Sequence, residues 1–223
     1  QYFMAQKEYE IKISQEIVNV CRRLHSKNYL AAADGNISYR VDESRILITP
    51  SGKPKFLIEP KDMSVVTPSG EVLVGKPSSE MAMHLEIYDR CPKAKAVVHA
   101  HPPTAIAWTV AEPKLEELPC TALSEVILAT GGIPIAPYAR PGTNEMALRV
   151  RPYLPQSRVL ILARHGAVSW GESLDEAYIG MERLEHSAEI LMKAKIMGGV
   201  TELPADEVDF LRDLRKKMGP KIL

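Results

Sequence analysis

Cysteine is scarce in this chain of 223 residues, limited to Cys21, Cys91 and Cys120, with no CxxC pair among them. An odd, scattered set excludes a disulfide framework and a cysteine-based zinc knuckle, and it points to a reducing compartment. Net charge is missing too, because 28 basic residues balance 28 acidic ones. Without an excess of positive charge there is no broad electrostatic footing for nucleic acid or an anionic membrane. A local pocket for a single phosphate would not alter that sum. No apolar run reaches membrane-spanning length, and the N-terminus carries no signal-peptide pattern. Repeats, low-complexity tracts and linkers are also absent. The expectation is a soluble cytoplasmic protein of one domain, residues 4–223. Gln1, Tyr2 and Phe3, ahead of Met4, read as lying outside that domain.

What is present is 45% hydrophobic residues in mixed periodicities. In "KEYEIKISQEIVNVCRRLHSK", Ile13, Ile17, Val20, Cys21 and Leu24 share one helical face. "AAADGNIS" breaks that pattern with a turn at Asp34-Gly35-Asn36. "SRILITPSGKP" reads as a short strand ending in a turn, and "SVVTPSGEVLVG" as a hairpin. A helix opened by serines follows in "KPSSEMAMHLEIYDRC", then a strand in "AKAVVHAH" and a proline-opened helix in "PPTAIAWTVAE". "TALSEVILATGG" and "GTNEMALRVRPYL" read as helices, "IPIAPYA" as a strand, and "SRVLILARHGAVSWG" as two strands hinged at His165-Gly166. Ser173 and Glu176 form a capping-box pattern for a long helix, and the charged tail "PADEVDFLRDLRKKMG" reads as another. The mixture predicts one α/β domain, with a central, mostly antiparallel or mixed β-sheet flanked by helices.

His99 and His101 are one residue apart at the end of a strand, so both rings leave the same face, ~7 Å apart along the chain. Two imidazoles so placed can converge on one Zn²⁺ at ~2.0–2.1 Å. His165, with Gly166 leaving room beside it, is the best third ligand. Three imidazoles leave a coordination position open, as catalytic sites require. Strand-end histidines also serve as ordinary hydrogen-bonding groups in turns, and that reading fits the pair alone. His25, His84 and His186 lie within or at the end of helical patterns and are assigned no function.

"PSSEMAMH" carries a second chemistry. Ser78 and Ser79 stand at a helix N-terminus, where free amides and the dipole favour an anion. Gly35-Asn36 and Ser51-Gly52 are turn positions able to add nest-type donors. Ser78 and Ser79 could equally be simple caps. Glu80 follows them and leads toward the histidine strand. A carboxylate between a cation and a phosphate can move a proton on carbon or oxygen; alone, it would merely suit the helix dipole.

Taken together, "DGNIS", "ITPSGKP", "PSSEMAMHLEIY", "AVVHAHPPTAIA", "IPIAPYARPGT" and "ARHGAVSWGESLDEA" resemble, in order and separation, the class II aldolase/adducin family. That family includes L-fuculose-phosphate aldolase and L-ribulose-5-phosphate 4-epimerase. The resemblance implies a three-layer sandwich and His99, His101 and His165 as ligands of Zn²⁺ or another divalent transition metal. It implies Glu80 as catalytic acid/base, and Gly35, Asn36, Ser51, Gly52, Ser78 and Ser79 as the binding positions for the phosphate of a sugar substrate. A C4 homotetramer with active sites at subunit junctions is also implied. The pattern departs at the aldehyde end: "LPCTALSEVI" offers Leu123 where the fuculose-phosphate enzyme has a tyrosine, and "RKKMGPKIL" has none.

The expected reaction is reversible aldol cleavage of a ketose 1-phosphate to dihydroxyacetone phosphate and an aldehyde. The same metal–enediolate chemistry would serve a 4-epimerase, a sugar-phosphate dehydratase or a decarboxylase of a 3-keto acid phosphate. A lysine Schiff base at Lys53, Lys55 or Lys76 would achieve the stabilisation without metal, but three assembled histidines make that route unnecessary. An adducin-like interaction domain without catalysis is the remaining alternative.

Overall fold

A computed structural model describes residues 1–223. Its centre is one eight-stranded sheet: β1 (Asn36–Arg40), β2 (Ile46–Ile48), β3 (Ser64–Val66), β4 (Val72–Val74), β5 (Ala96–Ala100), β6 (Ile135–Ala136), β7 (Val159–Leu162) and β8 (Gly166–Gly171). The spatial order is β4-β3-β2-β1-β5-β8-β7-β6. Every pairing is antiparallel except that of β6 with β7, so the sheet is mixed, in agreement with the sequence patterns.

The helices are α1 (Tyr2–Ser26), α2 (Met81–Arg90), α3 (Pro103–Ala111), α4 (Ser124–Thr130), α5 (Glu145–Val150), α6 (Leu174–Ile196) and α7 (Ala205–Met218). Alternation along the strands divides them between two faces. Val98, Ala167 and Ile161 join Ile17, Leu24, Met181 and Leu184 in a core beneath α1 and α6. Val97, Val168 and Leu160 point the other way, to Met83, Ile87 and Met146 of α2 and α5. Burying each such side chain contributes about 1.5–3 kcal/mol. His99, two residues after Val97, faces the α2 side. No helix is long and apolar enough to cross a membrane.

Several local expectations shift. The turn at Asp34-Gly35-Asn36 leads directly into β1, a strand the sequence pattern does not announce. It is held by β2 and β5 on its two sides. The "IPIAPYA" strand shrinks to two residues. Helix α1 begins at Tyr2. Only half of the capping box forms: Ser173 Oγ accepts from Glu176 N at 3.0 Å, but the Glu176 carboxylate turns to buried Arg158.

Strand register positions the site. Asn36 pairs with His99 across β1 and β5, and His99 pairs with Val168 across β5 and β8. The start of β1, the end of β5 and the start of β8 therefore meet at one edge of the sheet, where α2 also begins. Gly35, at φ +78, makes that junction possible, because a Cβ there would lie 2.9 Å from the His99 carbonyl.

Candidate active site

His99 is fully buried at the end of β5. Its Nδ1 lies 2.8 Å from the Ala167 carbonyl and donates to it, which leaves the Nε2 lone pair facing the cavity. His101 stands one residue beyond the strand, its backbone N donating to Tyr29 O at 2.8 Å. Its Nδ1 is 3.3 Å from Asp34 Oδ2. His165 closes the β7–β8 turn after Arg164, which adopts φ 57. The three ring centroids form a nearly equilateral triangle of 5.1, 4.9 and 5.1 Å. His99 and His101 sit closer than strand spacing suggests because β5 ends at Ala100 and the chain turns into Pro102 and Pro103.

One potential ligand nitrogen from each ring lies within 4.8 Å of the others. His99 Nε2, His101 Nε2, His165 Nδ1 and Glu80 Oε1 are buried and lack a hydrogen-bond partner. Orphaned buried polar atoms cost about 1–3 kcal/mol each. A cation among them would relieve that cost, so the donor set fits a divalent transition metal that accepts imidazole.

Glu80 is the N-cap residue of α2. Its Oε2 lies 2.9 Å from His99 Nε2 and its Oε1 2.8 Å from His165 Nε2. Asn36 Nδ2 donates to Oε2 at 2.8 Å. Burial alone would raise the Glu80 pKa. The neighbouring imidazoles of His99 and His165 and the Asn36 amide outweigh that effect and hold the carboxyl well below the usual range.

A cavity of ≈ 360 Å³ opens beside these groups. Gly35, Asn36, Ser51, Gly52, Ser78 and Ser79 all line it, together with Glu80, His101 and His165. The structure thus brings every candidate position into one place, with His99 immediately behind the wall. The Asn36 side chain also bonds within the protein, its Nδ2 to Glu80 and its Oδ1 to His84. Sequence reasoning gave His84 no role and named Lys55 only as a Schiff-base alternative. Lys55 is buried, lines the cavity, and donates from Nζ to Ala33 O at 2.8 Å and Lys53 O at 3.1 Å. Its signal was its place in "SGKPK", directly after the Ser51-Gly52 turn. His84, assigned no role, is fully buried with Nε2 2.5 Å from Asn36 Oδ1. His186 is exposed as expected, and exposed His25 stacks against Phe56 with centroids 4.7 Å apart.

Three imidazoles and a carboxylate, a donor set that fits a divalent metal, thus stand at the rim of a cavity lined by hydroxyls and amides in a three-layer α/β sandwich. The chain belongs to the class II aldolase and adducin N-terminal domain family, whose model matches residues 15–192. It is 33% identical over 211 residues to a 3-oxo-tetronate 4-phosphate decarboxylase of Escherichia coli O6:H1, covering 91% of this chain and 96% of that protein. It is 37% identical over 176 residues to an L-fuculose phosphate aldolase of Methanococcus vannielii, covering 79% and 93% respectively. A solved structure of L-fuculose 1-phosphate aldolase superposes with a TM-score of 0.82 at 29% identity, covering 92% of this chain and 96% of that one.

Proposed function

We propose that the protein is a zinc-dependent lyase that reversibly cleaves a ketose 1-phosphate to dihydroxyacetone phosphate and an aldehyde. One observation supports the reading: a single cavity is lined by His101, His165 and Glu80, with His99 packed against them, and by all six positions expected to take the phosphate. Its ≈ 360 Å³ suits a small sugar phosphate.

His99, His101 and His165 would hold the cation, with Glu80 beside them. When bound, the cation supplies positive charge against the negative oxygen that develops as the carbon–carbon bond breaks. Gly35, Asn36, Ser51, Gly52, Ser78 and Ser79 fix the phosphate end, and Lys55 contributes a buried charge to the same wall. As C3–C4 breaks, the C4 hydroxyl gives its proton to water and becomes the aldehyde, while Glu80, having first taken a proton from water, delivers it to C3, so the step is neutral in protons. In the synthetic direction Glu80 removes that same proton from dihydroxyacetone phosphate. The working assembly is a homotetramer with active sites at subunit junctions. The exposed apolar edge Val72-Leu73-Val74 of β4 supports such an assembly.

A second reading is decarboxylation of a 3-keto sugar-acid phosphate, supported by the near-complete overlap with the decarboxylase relative. Loss of CO₂ leaves the same three-carbon carbanion, which again takes one proton from Glu80. Both readings are tested by incubating the protein with ketose 1-phosphates and with 3-oxo-tetronate 4-phosphate, with and without chelator, while following dihydroxyacetone phosphate and CO₂. Metal-dependent release from a ketose 1-phosphate is expected. Release from the keto acid alone selects the second reading, and release that survives complete metal removal refutes both. Glu80→Gln is expected to retain the metal and lose hydrogen exchange at C3 of dihydroxyacetone phosphate.

A further inference from the structure

Behind Glu80 runs a buried row of groups that touches no part of the cavity beyond Asn36. Asn36 Nδ2 lies 2.8 Å from Glu80 Oε2, and Asn36 Oδ1 lies 2.5 Å from His84 Nε2. His84 Nδ1 lies 2.6 Å from Ser38 Oγ, which lies 2.8 Å from the Tyr88 hydroxyl. Ser38 and His84 are wholly buried, and Tyr88 and Asn36 almost so.

The chemistry of the end groups sets the direction of every proton. An ionised Glu80 can only accept, so Asn36 must present its NH₂ to it and its carbonyl to His84. His84 must then carry its proton on Nε2, which leaves Nδ1 bare. Ser38 therefore donates to Nδ1 and in turn accepts from Tyr88. Each donor finds one acceptor along a single line running from Tyr88 to Glu80. Burial pushes the His84 imidazole down to about 3, with the charge of His99 adding to the effect, so it stays neutral near pH 7.

We propose that His84 is a positioning residue: through Asn36 it anchors Glu80 Oε2 and so reserves Oε1 as the oxygen that carries the proton. The inference rests on the reading of Glu80 as the acid/base. Oε1 is the carboxylate oxygen left without a hydrogen-bond partner, 2.8 Å from His165. Anchoring one oxygen restricts rotation of the carboxylate about its last side-chain bond, so the other oxygen keeps a narrower range of directions into the cavity. The rest of the row fixes the His84 tautomer, without which Asn36 would turn its amide over.

The first test is the tautomer itself, read from ¹⁵N shifts of histidine-labelled protein. A proton on Nε2 of His84 is expected; a proton on Nδ1 overturns the proposal, whatever reaction the protein performs. The second test compares two variants in exchange of the dihydroxyacetone phosphate C3 hydrogen. His84→Leu fills the space but ends the row, and it is expected to lower the exchange rate about 10- to 100-fold with KM and bound metal unchanged. His84→Gln can donate to Asn36 and accept from Ser38, so it is expected to restore most of that rate. Full activity in His84→Leu, or no recovery in His84→Gln, overturns the proposal. Wild-type protein that exchanges no hydrogen refutes the acid/base reading of Glu80, and the tautomer measurement still decides the positioning role.

Discussion

Adding one methyl group at Gly166 should dislodge the metal site without touching any ligand. A Cβ built there would stand 2.8 Å from His101 Cδ2 and 3.2 Å from His99 Cε1, with the Ala100 carbonyl nearer still. To regain ordinary contact at 3.4 Å the His101 ring must retreat by about 0.6 Å. The carbonyl belongs to the β5 backbone and cannot swing aside, so β5 and β8 must also separate. Metal–nitrogen distances tolerate only about 0.2 Å of error. Gly166→Ala should therefore weaken metal binding about 10- to 100-fold, comparable to losing a ligand's outer partner. Overpacking should cost about 1–3 kcal/mol of stability as well. Competition titration with a chromophoric chelator measures the first effect and urea unfolding the second. Gly70→Ala is the control: its backbone sits in the left-handed region, at φ +95, unlike that of Gly166, and its nearest neighbour would be Leu85 at an ordinary 3.5 Å. It should lose about 1 kcal/mol and bind metal normally. Gly166→Ala protein with wild-type metal affinity would refute the claim that strand approach sets the ligand geometry.

Two further outcomes concern stability. Buried Arg158 donates from Nη1 to both Glu176 oxygens, at 3.1 and 2.9 Å, and to Glu172 at 2.9 Å. Glu176 also accepts from Ile222 N. Glu176→Ala should cost about 3–5 kcal/mol, read as a lower urea midpoint through the fluorescence of Trp170, against which Arg158 stacks at 4.4 Å. An unchanged midpoint would show the pair to be dispensable. The hydrogen bond from Arg151 holds the Glu86 carboxyl below its ordinary 4.5, with burial opposing and Arg90 assisting. A lowered folded pKa gives stability that is present above the unfolded value and is lost as pH falls through the folded one. Glu86→Gln should thus be less stable than wild type at pH 7 and equal to it in strong acid. A difference that persists in acid would contradict this account.

The parts of the site written in short segments were readable in the chain. His99 and His101 are two residues apart, and Ser78, Ser79 and Glu80 are consecutive, so strand alternation and helix-end chemistry made them candidates. His165 was harder, but its neighbouring glycine marked a crowded strand end. What stayed hidden depends on distant partners. His84 bonds to residues 46 and 48 positions earlier, and its helical spacing alone looks like core packing. β1 was obscured because its start doubles as the end of a turn, and only pairing with β2 and β5 makes it a strand. The orientation of the Asn36 amide is likewise decided by His84 and Glu80, which a local reading of "DGNIS" cannot include. In the fold, the layers followed from periodicity, whereas the neighbours of β5 did not.

The alignment of β5 between β1 and β8 gives the histidines a role during assembly. Sliding β5 by one residue would turn Ala100 and Val98 toward α2 and send His99 among the side chains of α1 and α6. Such a mispaired sheet could no longer gather three imidazoles at its rim. A cation held by all three rings would therefore favour a correctly zipped sheet over a slipped one, and so act on the folding chain as well as on the finished site.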